Sequence, residues 1–329
     1  MHPFVLSRAT SLNDAIGGSA QSDTAIIAGG TEMLNWLKEE IVMPKRLTDI
    51  SRLPNLDPIT ADATGLRIGA LARMSDVASH VLVARDYPAI AEALLKSASA
   101  QIRNMATMGG NLLQRTRCPY FRAETELSCN KRRPGSGCAA LQGEDRTLAI
   151  FGGSDHCIAT HPSDVAVALA ALDASVRVQG PAGARAIPVA ELHRLPGDAP
   201  ERETVLGPGE IILAIDVPAS PLTRRSHYLK LRERASYEFA LVSAAIALDF
   251  DGRKIREARV ALGGVAPKPW RLVAAETALR GLTLDDAAAL RAAVMRGFSD
   301  ARPRRHNGFK VELATRMVVR GLQHVGGAV

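Results

Sequence analysis

The sequence predicts an α+β protein: a glycine-punctuated first part, an irregular middle, and a tail of one sheet with helices. Three observations carry this reading. Two passages in the first third run through paired glycines, at residues 24–40 and 102–112, the first of them from strand to helix. All four cysteines fall between positions 118 and 157, inside a stretch with almost no periodicity. Beyond a linker at residues 218–225, three strand-like segments precede three helix-like ones.

Thr24-Ala25-Ile26-Ile27 is apolar enough for a buried strand and runs directly into Ala28-Gly29-Gly30-Thr31. A helix is expected over 32–40 and a strand over 47–50. Residues 66–71 read as a strand leading to a helix capped by Ser75, with a second helix over 89–97. Residues 114–160 are rich in Arg, Gly, Pro and Cys. After Ser163-Asp164 a helix is expected over 165–172, then a strand around Val176 and Val178, and another over 211–217 ended by Pro218. The tail offers strands around 228–232, 242–248 and 258–262, an antiparallel sheet of three strands, and then three helices. Thr283 caps the second of these, with Asp286 three residues on. Phe309, Leu313 and Met317 share one face of the third. The expected divisions are 1–60, 61–220 and 221–329.

Apolar residues make up 47% of the 329 and charged residues 23%, the balance of a soluble globular chain. Aromatics at 4% force the core onto Ala, Leu, Val and Ile. The net charge of +7 is scattered, apart from Lys131-Arg132-Arg133, and lacks interleaved aromatics. That argues against nucleic-acid binding. No apolar run is long enough to span a membrane. Residues 1–8 lack the basic and apolar regions of a secretory signal. Folding in the cytoplasm is therefore expected, with a periplasmic destination open to a chain exported alongside a signal-bearing partner.

Glycines between a strand and a helix let backbone amides approach an anion, and the helix adds the positive end of its dipole. Ala28-Gly29-Gly30-Thr31 has this form, and Thr107-Met108-Gly109-Gly110-Asn111 repeats the hydroxyl, paired glycines and amide. Neither is a G-x-G-x-x-G or a P-loop. Each alone is a tight turn; together they suit one extended anion such as a dinucleotide pyrophosphate. Cys118, Cys129, Cys138 and Cys157 follow a C-x10-C-x8-C-x18-C spacing with no C-x-x-C, so zinc-ribbon and bacterial-ferredoxin patterns do not apply. Disulfides do not fit a chain without an export signal. Four thiolates on one irregular segment make a ligand set for zinc or for a [4Fe–4S] cluster, and the residues leave that choice open. Arg115, Arg117, Arg122, Lys131, Arg132 and Arg133 are placed to offset a cluster's negative charge.

Ile26-Ile27-Ala28-Gly29-Gly30-Thr31 taken with Ile102-Arg103-Asn104-Met105-Ala106-Thr107-Met108-Gly109-Gly110-Asn111-Leu112 resembles the FAD-binding subunits of the xanthine oxidase family. Through Ser163-Asp164 and Tyr228-Leu229-Lys230-Leu231-Arg232 the resemblance covers the whole chain. Arg117-Cys118-Pro119-Tyr120-Phe121, Cys129-Asn130-Lys131-Arg132 and Pro134-Gly135-Ser136-Gly137-Cys138 resemble a narrower group, the flavoprotein subunits of bacterial periplasmic-type aldehyde oxidoreductases, which carry an extra [4Fe–4S] cluster. The 4-hydroxybenzoyl-CoA reductase flavoproteins are the related alternative. A zinc-stapled interaction subunit is the alternative of another class.

The resemblance implies a two-part, PCMH-type FAD domain (a small α/β part and a larger α+β part) and a C-terminal α+β domain. It places Ile26, Ile27, Ala28, Gly29, Gly30, Thr31, Glu32, Met33 and Leu34 around the pyrophosphate. Thr107, Gly110 and Asn111 would serve the second phosphate and ribose, and Asp164 a ribose or adenine group. Lys230 would stand near the flavin ring. For Asp164 an acidic first helical turn, and for Lys230 an exposed strand lysine, are the plainer readings. His156 and His161 would line the cluster or stand on an exposed loop. Cys118, Cys129, Cys138 and Cys157 would hold the cluster. No cysteine remains for a [2Fe–2S] centre, so [2Fe–2S] and molybdopterin are expected on small and large partner subunits of a heterotrimer, with FAD here passing electrons to an external acceptor.

Overall fold

The structure is a computed structural model and describes residues 1–327. Its first sheet is parallel, built from β1 (Val5–Arg8), β2 (Thr24–Ile27) and β3 (Arg46–Asp49) in the order β1-β3-β2. Its second is a five-stranded antiparallel sheet of β4 (Ile59–Asp62), β5 (Gly65–Gly69), β6 (Ser175–Gly180), β7 (Gly183–Pro188) and β8 (Ile211–Pro218), ordered β4-β5-β8-β6-β7. The third holds β9 (Ser226–Leu231), β10 (Val242–Asp251), β11 (Lys254–Gly263) and β12 (Trp270–Arg271), ordered β12-β11-β10-β9 and antiparallel. This sheet has four strands where three are expected. The extra one is two residues long, too short to leave a period-2 pattern.

β10 shows why the tail is joined firmly to the rest. Its side chains alternate between faces, and both faces are buried. Ala245 and Ala247 belong to the core around helix Asp164–Ala171, which is buried at every position. Val242, Ala244, Ile246 and Leu248 belong to the core built with helices Val273–Leu279, Ala287–Met295 and Phe309–Val325. Each such Ile or Leu contributes roughly 1.5–3 kcal/mol by leaving water. Small residues on one face admit a close helix; larger ones on the other fill the space against three.

Residues 114–160 contain only the short helix Pro119–Arg122 and a 3-10 turn at Ala139–Leu141. The final helix fastens this segment. Lys310, fully buried, donates from Nζ to the carbonyls of Leu148 (2.9 Å) and Gly264 (2.7 Å). Asn307 Nδ2 donates to Asp145 O at 3.3 Å, and the His306 amide to Asp145 Oδ1 at 2.9 Å. Burial holds the Lys310 ammonium down at about 7.

Two caps differ from expectation. The helix at Met74–Ser79 starts after Arg73, so Ser75 lies inside it; buried Met74 anchors its first turn. Asp286 itself, not Thr283, caps Ala287–Met295 by accepting from the Ala289 amide at 2.9 Å. Among the described residues no helix is long and apolar enough to cross a membrane.

Candidate functional site

A cavity of about 580 Å³ opens between the first two sheets and the start of the third. Ile26, Ala28, Gly29, Gly30, Thr31, Glu32 and Met33 line it from one side, and Thr107, Gly110, Asn111, Asp164 and Lys230 line it as well. Ile27 and Leu34 do not. Residues Gly207, Pro208 and Gly209, before β8, complete a wall absent from the expected site, although their turn composition is visible in the sequence.

The two glycine loops meet here. Gly30 takes φ +74°, which side chains other than hydrogen rarely adopt. A Cβ at Gly29 would overlap the Met105 carbonyl oxygen, so glycine lets the loops touch. Among the described residues none accepts from the amides of Gly29, Gly30 or Thr31, which leaves those donors for a ligand. The second loop differs from the expected repeat of that chemistry. Met108 N donates to Ala72 O (2.9 Å), Gly109 N to Ala70 O (2.8 Å), Asn111 N to Thr107 O (2.8 Å) and Gly110 N to the Thr107 hydroxyl oxygen (3.3 Å). Its amides are consumed in docking helix Met108–Leu112 on Ala70 and Ala72 and in capping it at Thr107.

That helix is tied at its far end by two histidines. His161 Nε2–H (3.3 Å) and His193 Nε2–H (2.7 Å) both donate to the Leu112 carbonyl, their rings 4.0 Å apart. Burial drives the His161 imidazole well below its usual range, and likewise brings His193 down to about 4. His161 is thus not exposed, and it lines a small cavity that also reaches Cys118, whereas His156 is exposed. His193 carries no signal in the sequence, since a lone histidine after a short helix is unremarkable.

Asp164 is the first residue of its helix, and the fold brings Lys230 to it. The Lys230 side chain is 1% exposed, not on the surface, and its Nζ lies 2.7 Å from Asp164 Oδ2. Ser97 Oγ–H donates to the same oxygen at 2.9 Å, and Tyr228 O–H donates to Oδ1 at 2.6 Å. A buried pair with every oxygen satisfied keeps both charges in place at the cavity wall. Tyr237, Glu238 and Phe239 line the same cavity, and the Arg117 guanidinium lies 4.8 Å from the Phe239 ring centroid.

The four cysteines, all free thiols, come together beside this cavity. Cys118, Cys129, Cys138 and Cys157 pack in one cluster with Phe121, Leu148 and Ile158, and the backbones at Cys129 and Cys138 pair antiparallel. A second cavity of about 190 Å³ reaches Cys118 and shares Arg117, Asp164, Glu238 and Phe239 with the large one. Burial pushes the Cys118 thiol up to about 12 and the Cys157 thiol up to about 11; neighbouring thiols add to both shifts. The Ala159 amide donates to Cys157 Sγ at 3.5 Å. Among the described residues no three His, Cys, Asp or Glu side chains stand close enough to hold a single ion. Thiols that share one small core cluster, with an amide on one sulfur, are the donor chemistry a [4Fe–4S] cluster takes.

The basic residues expected to face a cluster are mostly held in ion pairs, although the Lys131 charge also favours the Cys157 thiolate. Arg115 and Lys131 pair with Glu203, each at 2.9 Å. Arg117 and Arg122 pair with Glu32, Arg122 also with Glu39, and Arg133 with Glu126. Arg132 donates to the Ala123 and Glu39 carbonyls. These contacts fasten the irregular segment where apolar packing is thin.

A long cleft with free loop amides on one wall and a fixed ion pair on another defines a dinucleotide-binding protein. Residues 2–220 match the family described as FAD binding domain in molybdopterin dehydrogenase, and residues 227–325 match the CO dehydrogenase flavoprotein C-terminal domain. The chain belongs to the FAD-binding medium subunits of the molybdenum hydroxylases, the xanthine oxidase family. It is 48% identical over 319 residues to the aldehyde oxidoreductase FAD-binding subunit PaoB of Escherichia coli (strain K12), covering 96% of each chain. With the glyceraldehyde dehydrogenase medium chain of Sulfolobus acidocaldarius it shares 27% identity, covering 87% of this chain and 85% of the relative. The carbon monoxide dehydrogenase of Hydrogenophaga pseudoflava superposes with a TM-score of 0.75 at 25% identity, covering 99% of this chain and 98% of that one.

Proposed function

We propose that this chain is the electron-transfer flavoprotein subunit of a molybdenum-dependent aldehyde oxidoreductase. It would work in a heterotrimer, taking electrons from [2Fe–2S] centres on a small subunit whose large partner carries molybdopterin, and delivering them to an external acceptor. The observation that carries the reading is the 580 Å³ cavity with its unpaired Gly29, Gly30 and Thr31 amides. The aldehyde assignment is supported by 48% identity to an aldehyde oxidoreductase subunit.

FAD bound in the cavity supplies the exchange between one-electron and two-electron carriers. The residues of this chain bind and tune it. Gly29, Gly30 and Thr31 offer amides and a hydroxyl to the phosphates, while Thr107 and Asn111 shape the facing wall. Lys230, held by Asp164, presents a fixed positive charge that favours an anionic reduced flavin. Cys118, Cys129, Cys138 and Cys157 would hold a [4Fe–4S] cluster, and the Ala159 amide would lower the charge on one sulfur.

An anaerobic absorption spectrum of the purified chain, with iron, sulfide, zinc and flavin measured on the same sample, tests this. Flavin bands with about four iron and four sulfide per chain are expected. A colourless, zinc-containing protein that takes up no added FAD would overturn the reading.

A further inference from the structure

Glu32 sits in the first glycine loop and lines the large cavity, yet its carboxylate is directed into the cysteine segment. Oε1 accepts from Arg122 Nη2 and from Trp36 Nε1 at 2.8 Å; Oε2 accepts from Arg117 Nη2. The Arg115 amide approaches Oε1 at 3.4 Å. These donors bracket Cys118 in sequence, and Arg122 holds a second acid, Glu39, at 2.9 Å. The side chains of Glu32 and Arg122 are 14% and 12% exposed, so water screens the pair poorly.

We propose that Glu32 is a positioning residue that couples dinucleotide retention to the state of the four-thiol nest. The inference rests on the FAD reading above and deepens it. The glycine loop needs its amides held at one depth to meet a phosphate, and among the described residues none of the side chains of residues 28–31 makes a hydrogen bond that fixes that depth. Glu32 supplies the fixing from outside, through two guanidiniums on the strand of chain that carries Cys118. Where the nest is intact, residues 115–122 are rigid and the loop is held. Where it is disturbed, the guanidiniums shift and the loop loosens. Linkage makes the effect reciprocal: a bound dinucleotide also steadies the nest. The pyrophosphate is not the partner of this carboxylate, because like charge would repel it and both oxygens are taken.

The test is a thermodynamic cycle on the full chain in its purified complex. FAD is removed and titrated back, and binding is followed by quenching of flavin fluorescence. Glu32→Gln keeps the shape and removes the charge. It is expected to weaken FAD binding by about five- to twentyfold, within the usual range of coupling between sites, with iron content close to wild type. Glu32→Asp, which retains the charge, should recover part of the loss. Cys138→Ser, at the least buried of the four thiols, should weaken FAD in the wild-type background and add nothing in the Glu32→Gln background. Glu32→Gln binding FAD within twofold of wild type, or an equal Cys138→Ser penalty in both backgrounds, overturns the proposal. A wild-type complex that takes up no FAD overturns the functional reading itself.

Discussion

The two glycine loops look alike in sequence and do different work. The first, Ala28-Gly29-Gly30-Thr31, leaves its amides unpaired and borrows its rigidity from Glu32. The second, Thr107-Met108-Gly109-Gly110-Asn111, spends its amides on Ala70, Ala72 and Thr107, and its helix is pinned at the end by two histidines. One is a donor surface and the other a buttress. Identical residue types give anion-binding capacity only where the surrounding chain leaves their hydrogen bonds unmade.

Adding a side chain at Gly29 breaks the contrast most severely. Gly29→Ala would drive a methyl into Met105 O and separate the loops. FAD binding is expected to fall by about a hundredfold, near the top of the usual span of intersite coupling, measured by flavin content after gel filtration. Acid should act on the second loop through its two histidines. Both histidines titrate below their unfolded value near 6.5, so the unfolded chain binds more protons as pH falls. Their contribution is intact above about 6.5 and is lost as pH drops toward the His193 value of about 4. The melting temperature should therefore decline over that window, and His193→Phe should flatten the slope; an unchanged slope would discount the histidine pins. Thr107→Val removes an N-cap and should cost about 1 kcal/mol in chemical denaturation, with a secondary loss of FAD. Thr31→Val, with no structural bond of its own to lose, should leave stability unchanged and lower FAD affinity a few-fold. Equal stability losses at Thr31 and Thr107 would erase the distinction drawn between the loops.

Much of this architecture is legible in the sequence. The strand–glycine–helix passage at residues 24–38, the cysteine segment and the three closing helices all carry local signals. What stays hidden depends on distance along the chain. Tyr228 reaches Asp164 across 64 residues and Arg122 reaches Glu32 across 90. No periodicity records such pairings. The unequal fates of the loop amides are hidden for the same reason, because their acceptors at Ala70 and Ala72 lie on a different element. Strand β12 escapes notice because two residues hold no pattern, and Lys230 reads as exposed because a lone lysine does not announce its partner.

The fastening by the last helix bears on the order in which the protein is made. Asn307 follows the Asp145 carbonyl it holds by 162 residues, and Lys310 follows that of Leu148 by the same number. A ribosome has therefore long since released the thiol-bearing stretch when it supplies the side chains that lock it. These contacts can form only once the last turns of the chain exist and the final helix docks. The sequence thus carries a built-in delay, in which the middle of the chain waits for its end to lock it.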